Sequence, residues 1–404
     1  MEMKNVKASL YRKAEETRKK KYYAATVELL TRNGLSRIYE TDVRLLLAQS
    51  TRELGRLQEA KQIFLGLKNV PTDKQWIVAT DLGELYMETG EFQQAESILF
   101  EATRLKPAST APWVIRGACL ALQERFEEAC EVLAKGLTAS GDLDELYLNL
   151  GYNQRALKAY AAARESFKAA LRISPDYTEA KEALKDVELV LQVIQEGYPA
   201  RKSLSKPDAL YAAARDAAND NCPAIAVELL QRYLAQDASQ GFRQFLYAES
   251  LRVIGRVSEA QQALAGVTEF PQDKQSLIEL QWGELFMQKR EFQKAEERFV
   301  HAARLDPSSA TPWIYLGDCL IRQERFAEAC DRLSHGLTAP EDVDEVYFKL
   351  GYSRRALKDY VGARECFRHT IRLCSDYPEA NSALKDVEMA LQFVEGSYLK
   401  KKAA

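Results

Sequence analysis

The sequence predicts an all-α solenoid of about ten helix-turn-helix units, arranged as two duplicated five-repeat modules. Two observations predict it. The first is a pattern of small and large residues. Leu82-Gly83, Phe92, Ala95, Ala102 and Pro107 form one unit; Trp113, Gly117, Phe126, Ala129 and Gly136 the next; Tyr147, Leu150-Gly151, Tyr160, Ala163, Phe167, Ala170 and Pro175 a third. The key alanines, 95, 129 and 163, step by 34 residues, which is the period of a two-helix repeat. The second is that the chain then begins again at an offset of 200. Trp313, Gly317, Cys319, Phe326, Ala329 and Cys330 repeat Trp113, Gly117, Cys119, Phe126, Ala129 and Cys130. Leu384-Lys385-Asp386-Val387-Glu388 repeats Leu184-Lys185-Asp186-Val187-Glu188.

Residues 5–39 read as a degenerate first helix pair, with Tyr11, Ala14, Val27, Leu29 and Leu30 at helical spacing and Asn33-Gly34 ending the second helix. Its basic cluster (Arg12, Lys13, Arg18 to Lys21) reads as a solvated end face. Residues 41–72 form the second pair, turning at Gly55-Arg56 and closing at Val70-Pro71. Residues 76–109, 110–143 and 144–177 are the clear repeats. Pro112 sits just inside a helix start behind Thr110, where its missing N–H costs nothing. Asp142 with Glu145, and Asp176 with Glu179, resemble capping boxes. Gly83, Gly117 and Gly151 let the two helices of a repeat approach, and Ala95, Ala129 and Ala163 do so from the other helix. Trp113, Phe92 and Phe126 fill the space between turns. Residues 178–195 (Ala180, Ala183, Leu184, Val187, Leu191) form a longer amphipathic helix that caps the module. The expected domains are therefore a first module at 1–196, a polar linker at 197–206 containing Gly197-Tyr198-Pro199, and a second module at 207–404.

This pattern resembles the tetratricopeptide-repeat family, over nearly the whole chain. The resemblance implies a right-handed superhelix whose first helices line a concave groove for an extended peptide or a partner helix. Carried over by position, the candidate partner-binding residues are Glu84, Met87, Asn149, Tyr152 and Arg155 in the first module, and Glu284, Met287, Lys349, Tyr352 and Arg355 in the second. Tyr and Arg are frequent interface anchors. Chaperone-binding members hold a C-terminal carboxylate with Lys, Asn and Arg; here those positions read Thr80, Glu84, Ile115, Glu145 and Asn149, which is not that clamp. The implied function is a protein-interaction scaffold or adaptor. The alternatives are an RNA-binding helical repeat protein, or a regulatory subunit of a larger enzyme complex.

Chemistry is otherwise sparse. His301, His335 and His369 step by 34, so they occupy one place on successive helices. Neighbouring helices lie about 8–10 Å apart, too far for ligand atoms that must each reach one zinc ion at about 2 Å. Cys119, Cys130, Cys319 and Cys330 sit where small apolar residues pack, and Cys222, Cys366 and Cys374 lack ligand spacing. No phosphate loop, nucleotide fingerprint or nucleophile elbow occurs, so neither an enzyme nor a cofactor is indicated. The chain is 46% hydrophobic and 28% charged, with a net charge of -3. That balance exerts no general pull on nucleic acid or membrane. No apolar run approaches the roughly 18 residues of a membrane span. The basic N-terminus has no signal-peptide core. Seven cysteines without a disulfide pattern suit a reducing cytoplasm.

Overall fold

A computed structural model describes residues 2–32, 41–195, 207–234 and 241–395 of the chain. Among the described residues there are 22 α-helices and no strand. In the first half they are α1 (Glu2–Lys19), α2 (Tyr23–Arg32), α3 (Thr41–Glu53), α4 (Leu57–Leu65), α5 (Thr72–Glu88), α6 (Phe92–Leu105), α7 (Ala111–Leu122), α8 (Phe126–Gly136), α9 (Leu143–Ala156), α10 (Tyr160–Ile173) and α11 (Thr178–Gln195). In the second half they are α12 (Pro207–Asn219), α13 (Pro223–Leu234), α14 (Gly241–Val253), α15 (Val257–Ala265), α16 (Gln275–Gln288), α17 (Phe292–Leu305), α18 (Thr311–Arg322), α19 (Phe326–Gly336), α20 (Val343–Ala356), α21 (Tyr360–Leu373) and α22 (Pro378–Val394). The linker at 197–206 and the Asn33-Gly34 helix end lie outside the described residues.

The duplication is visible in the backbone. Lys21, Gly55, Gly90, Glu124 and Lys158 all have a positive φ, and so do the residues 200 later: Asn221, Gly255, Arg290, Glu324 and Lys358. Each follows the first helix of a pair. The left-handed residue lets the next N–H reach back to close the helix, as when the Arg125 N–H bonds the Leu120 carbonyl at 3.0 Å and the Glu124 N–H that of Ala121 at 2.9 Å. Pro112 takes the first turn of α7 as expected. Asp142 is the N-cap of α9, but its side chain makes no cap bond. The expected capping box is not formed there; instead the Asp144 carboxylate accepts the Glu145 N–H at 3.0 Å.

Packing within the pairs follows the small residues. A Cβ added at Gly117 would lie 2.6 Å from Leu133, and one at Gly151 2.5 Å from Phe167. Cys119 and Cys319 are fully buried, acting as small apolar groups, and burial pushes their thiols up to about 11 and about 12.

The chain divides into two compact units: residues 1–85 with 292–404 (unit 1), and residues 86–291 (unit 2). Each contains parts of both duplicated modules. The physical reason lies in α11 and α22. They cover α10 and α21, and each also carries a second packed face. In unit 2, Val187, Val190 and Val193 of α11 share a buried cluster with Ile225, Leu229 and Leu230 of α13. In unit 1, Val387, Ala390 and Phe393 of α22 share one with Ala24, Ala25, Leu29 and Leu30 of α2.

Candidate partner-binding site

Unit 2 has an open cavity of about 630 Å³. Its walls are single faces of successive helices: Ala118, Ala121 and Leu122 of α7, Asn149, Tyr152 and Asn153 of α9, and Glu179, Glu182 and Ala183 of α11. Spacings of three and four residues bring each set onto one side of its helix. Phe126, Asn221, Pro223 and Gln288 contribute from α8, the α12–α13 turn, the start of α13 and α16. The last wall is the turn from α14 to α15: Arg252, Val253, Ile254, Gly255 and Val257. Glu124, in the α7–α8 turn, holds that wall in place. Its carboxylate accepts the Ser258 N–H at 2.9 Å and the Ser258 hydroxyl at 2.6 Å, at the N-terminus of α15. A carboxylate is favoured there by the unpaired N–H groups and the helix dipole. A Cβ built on Gly255 would meet nothing within 4 Å, so this turn faces open space.

Of the ten residues expected to bind a partner, this cavity brings together three: Asn149, Tyr152 and Arg155. Tyr152 stands edge-on to Phe167 at 5.5 Å, and the Arg155 guanidinium lies 5.1 Å from its ring centre. Asn149 donates to the Glu145 carbonyl at 2.9 Å. Arg155 is 8% exposed and pairs with the fully buried Asp186 at 3.2 Å, so its charge is engaged inside the fold. Met87 packs with Ala95, Leu99 and Cys119. Glu284 pairs with Arg252 at 3.3 Å, and Met287 is half-buried.

In unit 1, Glu84 pairs with Arg52. Lys349 pairs with Asp318 at 2.9 Å, and Arg355 with Asp386 at 3.3 Å. Tyr352 reaches the equivalent turn: its hydroxyl donates to the Glu53 carbonyl at 3.4 Å and lies 3.1 Å from where a Gly55 Cβ would stand. The positions matching Ala118, Ala121, Leu122, Asn149 and Pro223 hold Asp318, Ile321, Arg322, Lys349 and Tyr23. These are larger or charged, and Asp318 binds both Lys349 and, at 3.7 Å, Arg322. Around Gly255 the space is open, whereas beside Gly55 it is taken by the protein's own Tyr352. Burial raises the phenol pKa of both Tyr152 and Tyr352.

His335 stacks on Trp313 at 4.9 Å and His369 on Tyr347 at 4.7 Å, so two of the spaced histidines have aromatic neighbours. Among the described residues, no group of three or more His, Cys, Asp or Glu is placed to hold a metal ion.

The site also contains residues that the repeat pattern did not point to. Asp186 sits within the apolar stripe of α11, three residues after Ala183 and one before Val187, and Asp386 does the same in α22. A carboxylate in a buried stripe, present in both copies, was the available signal. Burial pushes both carboxyls above the ordinary aspartate range, against the opposing pull of Arg155 or Arg355 and two backbone N–H groups. Arg252 to Gly255 carried no signal, because they join α7 only through the fold.

Three tetratricopeptide-repeat family profiles match the chain: one at residues 80–144 and 280–333, a second at 144–177 and a third at 345–380. None of the curated proteins matches. Among solved structures, a chain of the APC/C hetero-tetramer Cut9–Hcn1 is similar at 15% identity, over 96% of this chain and 85% of that one, with a TM-score of 0.40. Yeast Tom70 is similar at 12% identity, over 88% and 91%, with a TM-score of 0.37. The Arabidopsis OM64 TPR domain is similar at 20% identity, over 29% and 97%, with a TM-score of 0.28. With the 34-residue step, the duplicated turns and the profile matches in both halves, the chain belongs to the tetratricopeptide-repeat family.

Proposed function

We propose that this protein is a non-catalytic interaction scaffold, and that the cavity of unit 2 receives a segment of a protein partner. One observation carries the reading. Faces of α7, α9 and α11 and the Gly255 turn surround about 630 Å³ that the chain does not fill. That volume suits a few side chains of a short peptide, and ligand cavities generally span about 300–1,000 Å³. Ala118, Ala121, Leu122, Phe126 and Ile254 offer an apolar floor, and Asn149 and Tyr152 offer polar handles at its edge. Glu179 and Glu182 on the rim disfavour a phosphate backbone, which weighs against RNA. Binding in the unit 1 counterpart would require Tyr352 to leave Gly55, so one segment per chain is the expected stoichiometry. A cytoplasmic location belongs to the same proposal, since all seven cysteines are free thiols. Among the described residues no helix is long and apolar enough to cross a membrane.

The test is selection of a displayed peptide library on the full chain, followed by calorimetry of the enriched peptides. The expected result is one site per chain, with affinity at least tenfold weaker in Asn149→Ala/Tyr152→Phe, which keeps the ring against Phe167, and unfolding midpoint retained. Equal binding by that double variant would sink the assignment of the cavity. Enrichment of no peptide, with single-stranded RNA bound in a salt-dependent way, would replace it with the nucleic-acid reading.

A further inference from the structure

Two junctions in this chain are built alike, and only one has a short tether. In unit 2, Asp186 of α11 accepts the N–H groups of Ala224 at 3.0 Å and Ile225 at 3.1 Å, at the start of α13. The Tyr160 hydroxyl donates to Glu228 at 2.8 Å. In unit 1, Asp386 of α22 accepts the N–H groups of Ala24 at 3.0 Å and Ala25 at 2.9 Å, at the start of α2. The Tyr360 hydroxyl donates to Glu28 at 2.8 Å. The bonds correspond one to one at the offset of 200.

The difference is connectivity. Between α11 and α12 the chain runs through 11 residues, 196 to 206. The unit 1 junction instead joins the chain's first helices to its last, and the bonded residues are 362 apart in sequence. Nothing covalent runs directly across it. The packing also distinguishes the two. Ile225 and Val193 share the buried cluster of unit 2, where unit 1 has Ala25 and Phe393. A large residue on one side goes with a small one on the other, so α22 is matched to α2 rather than to α13.

We propose that α22 is a docking face for a second copy of this chain, whose α1–α2 pair can seat on it in place of the chain's own. The exchanged contact uses the same carboxylate, the same two N–H groups and the same apolar cluster, so no new surface is required. The balance between closed monomer and head-to-tail dimer then depends on protein concentration relative to the effective concentration of the chain's own N-terminal pair. Exchange at the unit 2 junction is held back by its short tether.

Complementary variants of the full chain test this. Ala25→Glu sets a carboxylate against Asp386 and spoils α2 while leaving α22 intact. Asp386→Lys spoils α22 while leaving α2 intact. Each alone is expected to stay monomeric by native mass spectrometry, with amides of residues 23–32 exchanging hydrogen at least tenfold faster than in wild type. Mixed one to one, they are expected to form a dimer containing one of each, with protection of 23–32 restored in the Asp386→Lys chain, whose intact α2 seats on the intact α22 of the Ala25→Glu chain. A mixture without mixed dimer, while residues 223–234 stay protected in both variants, overturns the proposal. If either variant loses protection at 223–234 as well, isotopically heavy and light wild-type chains are mixed instead. A mixed-mass dimer whose share grows with concentration supports exchange, and a strictly monomeric wild type up to about 1 mM overturns it.

Discussion

Single residues show where this fold tolerates no change and where it does. Gly151 has Phe167 pressed against it, 2.5 Å from the place a Cβ would take. Gly151→Ala is therefore expected to destabilise by about 1–3 kcal/mol, the usual cost of overpacking a core, read as a lower denaturant midpoint. Asp81 behaves differently. Burial, and secondarily Glu84, lift its carboxyl to about 6 from the ordinary 3.8, although the Gln49 side-chain amide donates to it at 2.5 Å and Arg52 opposes the shift. A carboxyl with a raised pKa holds its proton more tightly in the folded state. Its favourable contribution is therefore full below about pH 4 and is lost as pH rises through about 6. Asp81→Asn should stabilise the chain by about 2 kcal/mol at pH 7.5 and change little at pH 4.5, as measured by urea unfolding at the two values. The residues legible from sequence were those fixed by repeat geometry: the glycines, the core alanines, the buried cysteines. Asp81 and Asp186 were not, because their energetics depend on neighbours that the linear pattern does not bring together.

At the scale of helices, the two carboxylates of α11 and α22 do more than any surface ion pair. Each satisfies two N–H groups at a helix start that would otherwise be buried and unpaired, and each neutralises a buried arginine. Removing one partner of a buried pair leaves the other charge uncompensated, at a cost of about 3–5 kcal/mol. Asp186→Ala is expected to speed hydrogen exchange across 223–234 and spare 23–32. Asp386→Ala should do the reverse. Equal loosening of both segments by either variant would contradict two separate junctions. The helices themselves were readable, since apolar residues at three- and four-residue spacing specify them whatever they pack against. The second packed face of α11 was harder to read. An amphipathic helix that ends an array and one that bridges two segments share the same apolar stripe; only Val190 and Val193 extend it toward α13.

For the whole molecule, duplication and compactness follow different divisions. The sequence repeats itself at an offset of 200, while the packing divides into 86–291 and the remainder. Repeats are compared along the chain, whereas units are defined across it, and the Glu124–Ser258 contact spans 134 positions. The cavity depends on such contacts, so half of its wall could be inferred from repeat positions and the Gly255 turn could not. A chain shortened by residues 378–404 is expected to lose amide protection over α1 and α2 while keeping it over 223–234, a result that hydrogen exchange with mass spectrometry reads directly. Protection retained over α1 and α2 would mean that α22 is not what holds them.

The joining of the first helices to the last sets a schedule for synthesis. A nascent chain emerges from its N-terminus, and Ala224 follows its partner Asp186 by a short interval, the two being 38 residues apart. Ala24 must wait for Asp386 across 362. At about 5–20 residues per second that is a delay of roughly 20–70 s, during which Ala25, Leu29 and Leu30 have no α22 to cover them. The N-terminal pair thus spends most of synthesis packed by α3 alone, without its α22 face. A polypeptide released early by a stop codon would leave Ala24 and Ala25 without Asp386, so a break at the far end would be felt at the beginning.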